Sequence, residues 1–160
     1  YFDLRRYRKV LPKSDFPFTT AVSLVRGLDR ALSLIRERGI EAVWSEHRRR
    51  AEATRAGIAA MGLDLFSSAP SNAVTAVCLP SGIDGEALVK ALRKKFGISV
   101  AGGQDILKGK IVRISHLGWQ DEFDVLTAIA ALAAGLKDAG WSCDGGRAIE
   151  AASAILFSAA

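Results

Sequence analysis

Cysteine, histidine, proline and methionine are all scarce in this chain, and each scarcity removes a class of protein. The two cysteines, Cys78 and Cys143, lie in different segments with no His or Cys at ligand spacing. That excludes a disulfide framework and a zinc site, and no other metal site is expected. Two buried thiols in a reducing cytoplasm are the simplest reading. No uninterrupted apolar run reaches the roughly 18 to 20 residues that a membrane span needs. Nothing near the start has the charged-then-apolar order of a signal peptide. The chain opens at Tyr1 and its one methionine is Met61, so Tyr1 reads as an internal cut with relevant residues upstream.

What is present fits an α/β protein. The 160 residues are 49% hydrophobic, enough for one domain, or one and a fragment of a second, with a real core. The net charge of +5 comes from short clusters, including Arg5, Arg6, Arg8 and Lys9, Arg48 to Arg50, and Arg93 to Lys95. They lack interleaved aromatics, and no nucleic-acid motif accompanies them, so they read as solvated faces and no nucleic-acid partner is expected.

Along the chain, Pro12 and Pro17 mark residues 1–18 as an irregular arm, whose aromatics Tyr1, Phe2, Tyr7, Phe16 and Phe18 need cover. Thr19 or Thr20 then caps a helix in which Val25, Leu28, Leu32 and Ile35 share one stripe, with Gly39 just past its end. A longer helix follows over Glu41 to Met61, carrying Val43, His47, Ala51, Thr54, Ile58 and Met61 on one stripe; His47 reads as a hydrogen-bonded boundary residue. Ala73 to Leu79 reads as a strand. Asp84 caps a helix with Leu88, Ala91, Leu92 and Phe96 inward. Ile98 to Ala101 is a second strand, and the last main helix opens at Gln120 to Asp124 with three acids that suit its dipole. An alanine-rich segment, 147–160, forms a terminal helix. Strand, helix, strand, strand, helix is the order of a small sheet with helices on one face.

The residue to explain is Arg113. Ile111, Val112 and Ile114 around it form a buried strand, and a guanidinium there keeps its proton, so it needs an anionic partner or a route to water. A structural Asp or Glu and the carboxylate or phosphate of a small ligand both satisfy that need. No catalytic constellation is visible. Gly102 and Gly103 do not open a helix and are no dinucleotide fingerprint. Ser115 and His116 are strand neighbours on opposite faces, and the lysines sit on polar faces or in loops.

Four segments taken together, PFTTAVSLVRGLDRALSLI, EHRRRAEATRAGIAAMGL, PSNAVTAVCLPSGIDGEALVKALRKKFGISVAGGQDILKGKIVRISHLGW and DEFDVLTAIAAL, resemble the C-terminal half of class V aminotransferases. Within that class the likeness is to the alanine-glyoxylate, serine-glyoxylate and serine-pyruvate group. It implies the C-terminal part of a fold type I transferase, with a small, mainly antiparallel sheet and helices on one face. It further implies a pyridoxal 5′-phosphate enzyme that works as a homodimer on a small amino acid and a 2-oxo acid, with each active site at the subunit interface. In the family's GK-x-x-R-I segment the arginine binds the substrate carboxylate, and that position is Arg113. The family's threonine before the first long helix reaches the cofactor phosphate, and it matches Thr19. Some members carry a phosphate-contacting tyrosine three residues earlier, where Phe16 stands here.

On the same resemblance, residues 1–18 are an arm from a large domain, 19–62 two helices joining large and small domains, 63–140 the small domain, and 141–160 a tail helix. The cofactor-bearing lysine, the aspartate on the pyridine nitrogen and the ring-stacking residue belong upstream. The chain alone is therefore expected to hold no catalytic residue and not to transaminate. The alternative is a non-catalytic α/β interaction module, such as a subunit labelled as soluble hydrogenase, docking on a partner.

Overall fold

The computed structural model describes residues 2–158; the expectations for Tyr1 and for the last two residues of the terminal helix lie outside them. The contacts divide the chain into two units, Tyr1–Val43 and Trp44–Ala160.

The first unit is helical. The arm is not irregular throughout: α1 runs over Leu4–Val10, and a 3-10 turn follows at Leu11–Lys13. The Asp3 side chain accepts a hydrogen bond from Arg5 N and caps α1, and Pro12, rather than breaking the chain's order, sits in the first turn of the 3-10 segment. Tyr7 meets Phe18 edge-on with ring centroids 6.5 Å apart, and Arg6 lies over the Phe18 ring. The helix α2 spans Val22–Arg38. Its cap position is Ala21, with no side-chain hydrogen bond, so neither threonine caps it. The Thr20 backbone carbonyl accepts from Val22 N instead. Gly39 ends α2 at φ 84°, as expected. Within the unit nothing buries the stripe: Val25 and Leu28 are more than half exposed.

The division between units falls inside α3, Ile40–Ala60. In the second unit α3 buries Ala51, Thr54 and Ile58, the expected stripe. It also buries Arg50, against the expectation that the basic cluster is solvated. The acids that make this possible are Glu122, which pairs with both Arg49 and Arg50, and Glu46, 3.6 Å from Arg50; without such partners the burial would be prohibitive.

The sheet has three antiparallel strands, β1 (Val74–Cys78), β2 (Ala101–Gly102) and β3 (Ile111–Ser115), in the order β1-β3-β2. β2 begins at Ala101 rather than Ile98, while Leu65 bridges Val77 on the far side of β1. Alternation puts Thr75, Val77, Val112 and Ile114 on the core face, where they join α4 (Gly85–Phe96), α5 (Glu122–Asp138) and α6 (Gly145–Leu156). Three aspartates start these helices. Asp84 accepts from Glu86 N and Ala87 N, Asp121 forms a capping box with Asp124, and Asp144 accepts from Arg147 N. In α4 Leu88 and Leu92 are buried but Ala91 and Phe96 are exposed, contrary to expectation. The buried face of α4 is confined to the line of Leu88 and Leu92, against which Gly135 of α5 sits. Both cysteines are only partly buried.

Candidate functional site

The second unit carries Arg113 at the middle of β3, on the sheet face opposite the core. Its cross-strand partners are small, Ala76 on β1 and Ala101 on β2, so no large neighbour crowds the guanidinium. The side chain is half-buried. Its Nε donates to the Gly102 carbonyl at 3.0 Å. No carboxylate pairs with it among the described residues, so the structural ion pair open to the sequence is not what the fold supplies. A permanently charged, part-shielded fork of this kind has the geometry to accept a carboxylate or phosphate.

The backbone beside Arg113 is fixed by glycine. A Cβ on Gly103 would stand 2.0 Å from the Leu107 carbonyl oxygen and 3.0 Å from Ile111 Cγ1. Its absence lets the 3-10 turn at Asp105–Leu107 fold back over the strand. Asp105 adopts φ 46° in that turn, a conformation uncommon for a residue with a side chain. Sequence reading noticed the glycine pair but gave it no role, because the atom that excludes a side chain there belongs to a residue four positions on.

Behind the strand, His116 is fully buried, and its Nε2 lies 2.8 Å from Thr75 Oγ1. Burial, then the nearby Arg55 and His47 charges, lower its pKa to about 4. It is therefore neutral near pH 7. Ser115 is exposed, so the two neighbours do face opposite ways. Burial, then Asp144, pushes the Cys143 thiol upward, which makes it a poor nucleophile.

A cleft of about 290 Å³, lined by Ile98, Val100, Ser115, Trp119 and Asp124 among others, opens where β3 meets the start of α5. Arg113 does not line it. Thr19 lies in the first unit, exposed and ahead of α2, with its side chain not used in capping. Every lysine among the described residues is exposed, and no group of three His, Cys, Asp or Glu side chains among them is placed to hold a metal. No helix among the described residues is long and apolar enough to cross a membrane.

No protein-family model matches the chain. Individual proteins do. It is 41% identical over 162 residues to the small subunit of a soluble hydrogenase from Synechococcus, covering 99% of this chain and 42% of that protein. It is 40% identical over 145 residues to pyridoxamine–pyruvate transaminase of Mesorhizobium japonicum, covering 88% and 37%. Among solved structures, ureidoglycine-glyoxylate aminotransferase of Bacillus subtilis superposes with a TM-score of 0.87 at 34% identity, over 97% of this chain and 41% of that one. The chain thus spans about two fifths of the length of such relatives. In sequence and in fold it matches the C-terminal portion of class V pyridoxal 5′-phosphate-dependent aminotransferases.

Proposed function

We propose that this chain is the substrate-recognition and dimer-contact portion of a transaminase that moves an amino group from a small amino acid, serine or alanine, to a 2-oxo acid, glyoxylate or pyruvate. One observation carries the reading. Arg113 is a half-buried cation held by a backbone carbonyl, with no acidic side chain among the described residues to neutralise it, which is what binding a substrate carboxylate requires. The named acceptors of two relatives, pyruvate and glyoxylate, are small 2-oxo acids that present such a group.

The residues of this chain fit the anionic parts of a pyridoxal phosphate site and not its carbonyl-binding part. Thr19 offers an uncommitted hydroxyl for the phosphate, whereas every described lysine is solvated. The cofactor itself supplies the electron sink when bound. In this reading Arg113 orients the amino acid and then the 2-oxo acid by one carboxylate, and Thr19 holds phosphate at the partner subunit's site. Residues 19–62 join the large and small domains, and 63–140 form the small domain. The chain alone is inactive. The exposed stripe of Val25, Leu28 and Leu32 on α2 supports a homodimer, and two unpaired cysteines support a cytoplasmic location.

The test is amino transfer by the intact protein from serine to glyoxylate, from serine to pyruvate and from alanine to glyoxylate, followed by the appearance of the new amino acid. Cofactor-dependent transfer is expected, and no transfer with any of these three pairs would overturn the reading. The relative named as a hydrogenase subunit favours one other reading, an interaction module. That reading predicts an intact protein with no cofactor absorbance.

A further inference from the structure

We propose that Gly102 and Gly103 form a positioning device that makes Arg113 a directional carboxylate receptor, presenting only its two terminal nitrogens. The inference rests on the carboxylate-binding role given above and specifies how that role is performed.

The direction follows from the strand pairing. Gly103 N donates to the Ile111 carbonyl, so residues 103 and 111 form a hydrogen-bonded pair. Gly102 and Val112, one step along, then form a non-hydrogen-bonded pair. The Gly102 carbonyl therefore points away from β3, to the free side of β2, the outer strand of the sheet. Unpaired edge carbonyls normally face water. Here Arg113 reaches across β2 and donates its Nε–H to that oxygen. The bond fixes the plane of the guanidinium and uses the one donor that is not on the terminal fork. Nη1 and Nη2 are left to grip both oxygens of a carboxylate end-on, and the side-on mode through Nε and Nη2 is closed.

Gly103 holds the arrangement in place. With any Cβ at that position the Leu107 carbonyl must move, because the two would stand 2.0 Å apart. The displaced atom is backbone, so the turn and the adjoining Gly102 peptide must shift with it. Loss of the anchor lets the guanidinium rotate, and a carboxylate then has to pay the entropy of fixing it on binding. Neither glycine touches substrate; Gly103 acts through Gly102 and Gly102 through Arg113.

The experiment uses the intact cofactor-loaded protein and glycolate, an unreactive analogue of glyoxylate that keeps the carboxylate. Gly103→Ala is expected to weaken glycolate binding and raise the KM for the 2-oxo acid by about tenfold, with kcat within about twofold and the cofactor spectrum unchanged. A merely structural role would lower kcat and cofactor occupancy together. Glycolate binding unchanged in a folded Gly103→Ala would overturn the proposal. If that variant does not fold, Arg113→Lys decides. An ammonium has no separate Nε to anchor it, so glycolate affinity should fall nearly as far as in Arg113→Ala. Near-normal affinity in Arg113→Lys would show that a point charge suffices and would overturn the device. Glycolate binding untouched by Arg113→Ala would instead overturn the underlying carboxylate role.

Discussion

His116 and Thr75, far apart in sequence, meet in the core with Nε2 and Oγ1 2.8 Å apart, tying the residue after β3 to the core face of β1. The His116 Nδ1 has no hydrogen-bond partner among the described residues, so this contact is the one hydrogen bond the ring makes there. Thr75→Val keeps the shape and removes the oxygen, leaving a buried ring nitrogen unpaired. A loss of about 1 to 3 kcal/mol is expected in urea unfolding, and a loss below a few tenths would contradict the pairing.

The same histidine predicts an acid sensitivity. Its pKa falls from 6.5 when unfolded to about 4 in the fold, so between those values the unfolded chain binds a proton that the native chain refuses. Stability is then full above about pH 6.5, declines as pH falls toward 4, and loses nothing further to this group below that. The total is about 3 kcal/mol at most. His116→Gln should flatten the slope between pH 6.5 and 4.5 relative to the unchanged protein, measured as urea midpoints at each pH. Identical slopes would remove His116 as the cause.

Glu122 holds two arginines. Replacing it with glutamine leaves Arg50, 6% exposed, with Glu46 alone among the described residues within ion-pair distance. Because a buried charge that loses a partner is costly, Glu122→Gln should destabilise by about 2 kcal/mol, whereas Lys95→Gln at the exposed pair with Asp138 should change stability by less than about 0.5 kcal/mol. Equal effects in thermal melts would contradict the distinction.

Asp121→Ala removes the acceptor for Phe123 N and Asp124 N and should cost about 0.5 to 2 kcal/mol. Hydrogen exchange at those two amides should rise first. Unchanged protection there would sink the capping account.

The sequence disclosed what depends on neighbours in the chain. Asp84 caps where its spacing places it, Gly39 ends α2, and Ser115 and His116 face opposite ways as strand neighbours should. What it hid depends on distant partners. Arg50 reads as solvated until Glu122 is brought beside it, and Gly103 has no visible purpose until Leu107 folds over it. The Asp3 cap is local too, but the arm is read from its two prolines alone. Arg113 was legible as a problem, a cation among aliphatic residues. That its solution is the Gly102 carbonyl rather than an acid was not, since the backbone carries no residue signature.

The central claim is that Arg113 binds the carboxylate of an amino acid and of a 2-oxo acid. The most direct measurement is the steady-state KM for both substrates in the intact protein carrying Arg113→Ala, with cofactor absorbance recorded on the same sample. A rise of about a hundredfold, on the order of 3 kcal/mol of lost charge-assisted binding, with the absorbance intact, is the predicted result. KM values equal to those of the unaltered protein would contradict it.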